Sequence, residues 1–285
     1  MTRATLRQVL TPCLTDGTAV AGLVVLGWED AVAYVRAAEA ENRPVILQAG
    51  PGCRAHTPIV VLGAMFRHLA ETASVPVVAH LDHGENLAVC AQAIDCGFTS
   101  VMYDGSALPL GENIARTAEI VAMAHRHGVS VEAELGYVGY HDGAHSRGTD
   151  PAEVRRFAQE TGIDALAVSV GNSHLMTNPT AAVDRLLLSA IKAATPDLPL
   201  VLHGGSGLAP DLRRSLAQQT TVCKFNIGTE LRMAFAAALR ETLARDPAQF
   251  DRIQILRATI DPVSAAAAQV IKSLSGPLPQ SAPAD

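Results

Sequence analysis

Aromatic residues are scarce in this 285-residue chain, at 4% of the composition against 48% hydrophobic residues in all. The core must therefore be built mainly from aliphatic side chains and alanine. No Lys- or Arg-rich block occurs and the formal net charge is −6, which argues against nucleic acid or an anionic membrane surface as a partner. The longest apolar stretches, such as Ala21–Trp28, fall far short of the ~20 residues that a membrane helix needs.

Cysteine is also limited, with five residues and no C-x-x-C pair. An odd number of cysteines beside apolar residues favours reduced thiols in a packed core over a disulfide framework. No apolar segment typical of a signal peptide follows Arg3 and Arg7. The sequence therefore predicts a soluble, cytoplasmic protein.

Short β-branched runs alternate with longer helical patterns along the chain. Some of these runs are apolar at nearly every position, as expected for parallel strands that are buried on both faces. The eight predicted strands are Ala19–Val25, Val45–Gln48, Val77–Leu81, Ser100–Tyr103, Ser130–Glu134, Ala165–Val170, Leu200–Leu202 and Val222–Phe225. Eight β-then-α units predict the α/β class and a single (β/α)8 TIM barrel. We assign the barrel to residues 1–274 and expect the Pro-rich residues 275–285 to be a disordered tail.

Function in such a barrel lies at the carboxyl ends of the strands. His83, His174 and His203 each follow a predicted strand. Imidazole suits Zn²⁺, and three protein ligands with one open position are typical of a catalytic zinc site. A single histidine is more often a satisfied structural residue, but three at strand ends make a metal site plausible. Asp82, next to His83, is either a proton carrier or a partner that orients a histidine.

Two loops rich in small residues follow the last two predicted strands, at 203–207 and 226–229. In this fold the corresponding loops commonly hold a phosphate, because backbone N–H groups and a helix N-terminus favour an anion there. Alternatively, the glycines serve only to make tight turns between strand and helix.

Longer motifs carry a resemblance to a known family. They are Ala-His-Leu-Asp-His-Gly at 79–84, Gly-Phe-Thr-Ser-Val-Met-Tyr-Asp-Gly-Ser at 97–106, Val-Ser-Val-Glu-Ala-Glu-Leu-Gly at 129–136, Leu-Val-Leu-His-Gly-Gly-Ser-Gly at 200–207 and the stretch 224–230. Over roughly residues 15–245 the chain resembles the class II (zinc-dependent) ketose-bisphosphate aldolases, in the tagatose- and fructose-bisphosphate aldolase branch.

The resemblance implies roles for individual residues. The three histidines match the zinc ligands, and Asp82 matches the acid/base on the cleaved C–C bond. Asp104 and Glu134 match carboxylates that lie near the metal. The residues that match the loops binding the dihydroxyacetone phosphate half are Gly204, Gly205, Ser206, Asn226, Ile227, Gly228 and Thr229. A monovalent cation (Na⁺ or K⁺) near these loops and a homodimer or homotetramer are further implications.

The chain also departs from the family pattern. Leu175 stands where the family usually has glycine after the second zinc histidine. The glutamate that handles the C3 proton in the family is replaced in the stretch Gly-Tyr-His-Asp at 139–142. Asp142 is our candidate for that catalytic role, with His141 as its rival.

The residues that would contact the aldehyde half of the substrate differ from the family pattern. Val24 stands where the family has asparagine, Ala55 stands where it has serine, and Arg54 precedes Ala55. We expect Arg54 either to meet a terminal anion of the substrate, such as a phosphate or sulfonate, or to be a surface arginine.

The sequence thus predicts a zinc-dependent lyase that cleaves a ketose 1-phosphate to dihydroxyacetone phosphate and an aldehyde. The substrate is expected to be fructose or tagatose 1,6-bisphosphate, or an analogue such as 6-sulfofructose 1-phosphate. One alternative is a non-catalytic aldolase-like barrel that acts as a partner subunit or binding protein. Another is a metal-dependent hydrolase, which the phosphate loops fit less well.

Overall fold

The computed structural model describes residues 2–139 and 146–275. Its strands are β1 Arg3–Ala4, β2 Val20–Val24, β3 Val45–Ala49, β4 Val77–Gly84, β5 Ser100–Tyr103, β6 Ser130–Leu135, β7 Ala165–Val168, β8 Leu200–Leu202 and β9 Val222–Ile227. Strands β2 to β9 pair in parallel with their neighbours in chain order, and β9 pairs with β2. The eight strands therefore close into a barrel, which confirms the predicted (β/α)8 fold.

Helices surround this barrel and close one end of it. They are α1 Leu6–Leu10, α2 Cys13–Asp16, α3 Trp28–Ala40, α4 Pro51–His56, α5 Ile59–Thr72, α6 Leu87–Asp95, α7 Leu110–Arg126, α8 Pro151–Thr161, α9 Arg185–Ala194, α10 Pro210–Gln219, α11 Thr229–Arg245, α12 Arg252–Arg257 and α13 Ile260–Leu274. Asp150 caps α8, accepting a hydrogen bond from the Ala152 N–H, and Pro151 takes the first helical position. No helix in the described ranges is both long enough and apolar enough to span a membrane.

The two faces of the barrel strands pack differently. Residues that face outward form the main core against the surrounding helices, and it is mostly aliphatic and alanine, as the composition predicts. A smaller cluster inside the barrel joins Leu6 and Leu10 of α1 to Ile46, Val78 and Met102. The short N-terminal helices thus plug the amino end of the barrel and leave its carboxyl end for the polar groups.

Strand β4 differs most from its prediction. It continues to Gly84, so that Asp82 and His83 belong to the strand and do not follow it. Its pairing with β5 shifts register between Leu81 and Gly84, and His83 has a φ of +49°. This irregularity turns neighbouring side chains toward the same end of the barrel. The sequence reading also missed β1, whose two residues pair with β4.

Candidate active site

Three histidines converge at the carboxyl end of the barrel. The ring centroids of His83 and His203 lie 4.8 Å apart, and each ring is 5.5 Å from that of His174. One nitrogen from each ring lies within 4.8 Å of the others, and His83, Asp104 and Glu134 form a second such group. The structure therefore brings together all five residues that the sequence predicts around a metal.

Hydrogen bonds fix which nitrogen the rings of His83 and His203 present to the cluster. Nδ1 of His83 pairs with Asp104 Oδ2 at 2.8 Å, which leaves Nε2 available as a ligand. Nε2 of His203 pairs with Glu132 Oε1 at 3.1 Å. Its Nδ1 is buried and has no hydrogen-bond partner among the described residues. Because a buried ring nitrogen is rarely left unpaired, and carboxylates orient metal-binding histidines in this way, the arrangement fits a metal ion.

The electrostatics of the cluster favour one positive charge at this position. Although burial opposes it, the carboxylates of Asp82 and Asp104 raise the pKa of His83 to about 9. Burial and the neighbouring His83 lower the pKa of His174 to about 4 and that of His203 well below its ordinary value. A divalent ion that replaces the His83 proton would lie next to two neutral imidazoles and the neighbouring carboxylates.

A buried ionic network lies beneath the histidines. Lys224 Nζ donates to Glu132 Oε2 at 2.6 Å and lies 3.2 Å from His80 Nε2. All three side chains are fully buried inside the barrel. Lys224 balances the charge of Glu132, which in turn orients His203. The sequence signal for this network is a lysine and a glutamate within otherwise largely apolar strands.

Asp82 lines the same cavity as the histidines and is held by Asn226. Asn226 Nδ2 donates to Asp82 Oδ1 at 3.2 Å. Burial alone would raise the pKa of Asp82, but His83 and His203 hold it below its ordinary value. The group is therefore an ionised carboxylate beside the metal position, as a general base must be. The sequence assigned Asn226 only to the phosphate loop.

The other two acidic residues differ in charge state. Burial would raise the pKa of Asp104, but hydrogen bonds from His83 and Ser106 hold it below its ordinary value. Burial, reinforced by Asp104, raises the pKa of Glu134 to about 8. Glu134 Oε1 accepts from the Val138 N–H at 3.1 Å, and its buried Oε2 has no hydrogen-bond partner in the described part of the chain. Glu134 is thus a carboxyl group that a cation would ionise.

The two predicted phosphate loops meet beside the histidines. Ser206 Oγ accepts hydrogen bonds from the N–H groups of Gly228 and Glu230, each at 3.3 Å. Gly204 has a φ of +67°, and a Cβ there would lie 2.0 Å from the Ser173 carbonyl oxygen. Only glycine fits such a close approach. Gly204 therefore forms the tight turn that was one sequence expectation, and this turn also exposes backbone to the cavity.

A cavity of about 280 Å³ opens between these loops, the histidines and the ends of β2 and β3. The predicted residues that line it are Asp82, His83, His174, Gly204, Ser206, Asn226, Gly228 and Thr229. Gly205 and Ile227 do not line it. The side chain of Ile227 is fully buried, so this residue could reach an anion only through its backbone.

Arg54 lies beside the cavity and is not among its lining residues. Its guanidinium donates to the carbonyls of Ala49 (2.8 Å), Asp82 (2.6 Å) and His83 (2.9 Å), and to Glu85 Oε1 (2.8 Å). The Arg54 side chain is 10% exposed, which differs from the surface position that was one sequence expectation. Contact with a substrate anion, the other expectation, stays a prediction. The geometry favours a role in holding the backbone that carries Asp82 and His83. Asp142 and its rival His141 lie outside the described residues.

The model of the family described as "Fructose-bisphosphate aldolase class-II" matches residues 4–276. The chain belongs to this family. It is therefore a class II aldolase, a lyase. The aldolase is 39% identical over 261 residues to a probable fructose-bisphosphate aldolase of Bacillus subtilis (strain 168), an alignment that covers 88% of this chain and 90% of that protein.

Two further proteins are similar to this aldolase. It is 38% identical over 265 residues to the 6-phospho-5-dehydro-2-deoxy-D-gluconate aldolase of Shouchella clausii (strain KSM-K16), covering 90% of this chain and 89% of that one. Among solved structures it superposes on the YdjI aldolase from Escherichia coli K12 with a TM-score of 0.84 and 31% identity, covering 95% and 97% of the two chains. Because the relatives' names differ in the sugar, membership of the family leaves the aldehyde half open.

Proposed function

We propose that this aldolase cleaves a ketose 1-phosphate reversibly to dihydroxyacetone phosphate and an aldehyde, with Zn²⁺ held by His83, His174 and His203. The observation that carries the proposal is the convergence of three imidazoles and an ionised Asp82 at one end of the barrel, beside the cavity. When bound, zinc would supply a Lewis acid that stabilises negative charge developing on the substrate's oxygens.

Asp82 performs the proton transfer in this proposal. In cleavage its carboxylate takes the proton of the C4 hydroxyl as the C3–C4 bond breaks, and in condensation it returns that proton. The hydrogen bond from Asn226 fixes Asp82 Oδ1 and leaves Oδ2 for the substrate. Asp142 is assigned the C3 proton.

The loops after β8 and β9 bind the 1-phosphate. Backbone N–H groups near Gly204 and Gly228, and the N-terminus of α11, provide an anion site. Binding energy from this remote group positions the reacting carbons. The buried Asn226 Oδ1, which has no hydrogen-bond partner among the described residues, would supply an oxygen ligand to a monovalent cation. A cytoplasmic location and a homodimer or homotetramer complete the proposal.

The deciding experiment joins metal analysis with a coupled assay for dihydroxyacetone phosphate. The substrates are ketose 1-phosphates, ketose 1,6-bisphosphates and a 6-sulfo analogue. We expect about one zinc per chain and release from at least one substrate that a chelator abolishes and added zinc restores. Bound zinc without release from any substrate would favour the non-catalytic barrel.

Replacing Asp82 separates chemistry from metal binding. We expect Asp82→Asn to lower kcat by about 10²- to 10⁴-fold, the usual contribution of a placed acid/base, while zinc content stays unchanged. Asparagine nearly preserves the shape of the side chain, so that circular dichroism should match the native spectrum. Loss of zinc in this variant would show instead that Asp82 acts on the metal site.

A further inference from the structure

One wall of the cavity is formed by the end of β2, the residues after it and the turn after β3. The residues of this wall that line the cavity are Val24, Leu26 and the turn Gly50–Cys53. Their glycine, proline, aliphatic and cysteine side chains contain no oxygen atom and no charged nitrogen. The wall therefore differs from the rest of the cavity, where Asp82, two histidines and the loops after β8 and β9 supply polar groups.

Val24 projects into the cavity from the middle of this region. Val20, Gly22 and Val24 alternate along β2 on the face that points into the barrel. A Cβ added at Gly228, in the loop after β9, would lie 3.1 Å from a methyl carbon of Val24. Because β2 lies between β9 and β3 in the barrel, the methyl groups of Val24 cover the space between that loop and the turn after β3.

Some polar groups of this wall are already paired, and its thiol is a poor partner. The Val24 carbonyl accepts a hydrogen bond from Tyr34 Oη at 3.1 Å, and the Gly50 carbonyl accepts one from the Arg54 N–H at 3.0 Å. Cys53 is buried, and burial raises the pKa of its thiol to about 11. At neutral pH the thiol is therefore uncharged and only a weak hydrogen-bond donor.

The same wall lies beside the oxygen atom that the proposed function assigns to the substrate. A Cβ added at Gly50 would lie 3.4 Å from Asp82 Oδ2, the atom that takes the proton of the C4 hydroxyl. In that function the histidines and the loops after β8 and β9 hold C1 to C3 of the ketose. C4 therefore lies against Asp82 and Gly50, and the next carbon, C5, extends toward Val24 and the turn after β3.

We propose that this aldolase prefers ketose 1-phosphates without a hydroxyl group on C5, so that the released aldehyde carries hydrogen or an alkyl group next to its carbonyl carbon. The inference rests on the proposed function and names the substrate class of that site. A C5 hydroxyl group would give up hydrogen bonds to water at this wall and find no side-chain oxygen or nitrogen to replace them. A hydrogen atom or a methyl group there gives up no hydrogen bond and buries apolar surface.

The test measures binding of unreactive reduced analogues, so that it does not depend on turnover. Zinc-loaded native protein is titrated calorimetrically with a hexitol 1-phosphate and with its 5-deoxy form, which differ only in the C5 hydroxyl group. The titrations are repeated with Val24→Thr, which adds a hydroxyl group to the wall in a side chain of nearly the same shape. Val60→Thr is the matched control, because Val60 is 60% exposed and does not line the cavity.

We expect the native protein to bind the 5-deoxy analogue about tenfold more tightly, as for one buried hydroxyl group left without a partner. Val24→Thr should reduce this preference to about threefold or less, whereas Val60→Thr should keep it within about twofold of the native value. Equal binding of the two analogues by the native protein, or tighter binding of the hydroxylated one, would overturn the inference. An unchanged preference in Val24→Thr would overturn it as well.

Condensation rates give a second measurement that needs no variant. Native protein with dihydroxyacetone phosphate is offered propanal or glycolaldehyde, which carry a methyl or a hydroxyl group on the carbon next to the carbonyl. We expect kcat/KM per free aldehyde to be at least about tenfold higher for propanal, and the reverse order would overturn the inference. Failure to bind either analogue and to condense either aldehyde would overturn the proposed function, and the inference with it.

Discussion

Two arginines, Arg54 and Arg213, use their guanidinium groups in the same manner on different sides of the active site. Each is largely buried, with side chains 10% and 2% exposed, and each donates to backbone carbonyl oxygen and to one glutamate. Arg213 donates to the Leu208 carbonyl at 2.9 Å and to Glu230 Oε1 at 2.7 Å. Leu208 is only five residues from Arg213, whereas the bond to Glu230 joins residues 17 apart in sequence.

What differs is the segment that each arginine holds. Arg54 donates to the carbonyl oxygens of Asp82 and His83, which belong to the two peptides on either side of the His83 Cα, where the backbone adopts a positive φ. Arg213 links the end of the loop after β8 to the first turn of α11. Loss of the Arg54 guanidinium should therefore affect metal binding and catalysis, whereas loss of the Arg213 guanidinium should affect binding of the 1-phosphate.

The largest effect is expected from Arg54→Met. Without the guanidinium, three carbonyls lose a charged donor and the strained backbone at His83 can relax. Positioning groups of this kind are worth about 10- to 100-fold in metal affinity or activity, so we expect zinc affinity and kcat to fall together by that factor. A competition titration against a chromogenic chelator and steady-state kinetics measure the two quantities.

Glu85→Gln is the matched control for this prediction. It removes the ion pair but leaves the three carbonyl contacts, and the Glu85 side chain is 56% exposed. Exposed pairs contribute about 0–1 kcal/mol, so zinc affinity should barely change. An equal loss in Glu85→Gln would show that the ion pair matters and the carbonyl contacts do not.

A smaller and different effect is expected from Arg213→Met. Glu230 is partly exposed, so we expect unfolding free energy to fall by about 2 kcal/mol, between the values for surface and buried pairs. Loosening of the two anion loops should raise KM for every ketose 1-phosphate by about tenfold, the cost of one charged hydrogen bond. Denaturant melts, KM and kcat test this, and a fall in kcat at constant KM would contradict the assigned division of roles.

The comparison also shows what the sequence could and could not predict. The barrel was predictable because most of its buried parallel strands are short runs of largely apolar residues. The histidine cluster was predictable because the carboxyl ends of the strands meet at one face. The roles of Arg54 and Arg213 were not, because their partners are mostly carbonyl oxygens, which leave no residue pattern. For this reason the sequence left Arg54 open between a substrate contact and a surface arginine, and neither alternative includes these carbonyl contacts. Asn226 shows the same limit, since its motif indicated the loop but not its hydrogen bond to Asp82.

Leu175 offers the smallest expected effect and tests whether the phosphate side has been altered. Its backbone has a φ of +60° although it is not glycine, and its side chain is 51% exposed at the cavity wall. The loop after β7 therefore already has the conformation that a glycine would adopt. Leu175→Gly should relieve strain of about 1–3 kcal/mol, offset by about 0.5–1 kcal/mol of extra chain entropy in the unfolded state. We expect a net gain of about 1 kcal/mol in unfolding free energy and a change in KM of less than about threefold.

Leu175→Ala removes the same side chain without freeing the backbone, so its stability should not rise. A KM that falls more than about tenfold in both variants, over 1.4 kcal/mol in binding, would show that the leucine side chain obstructs the phosphate.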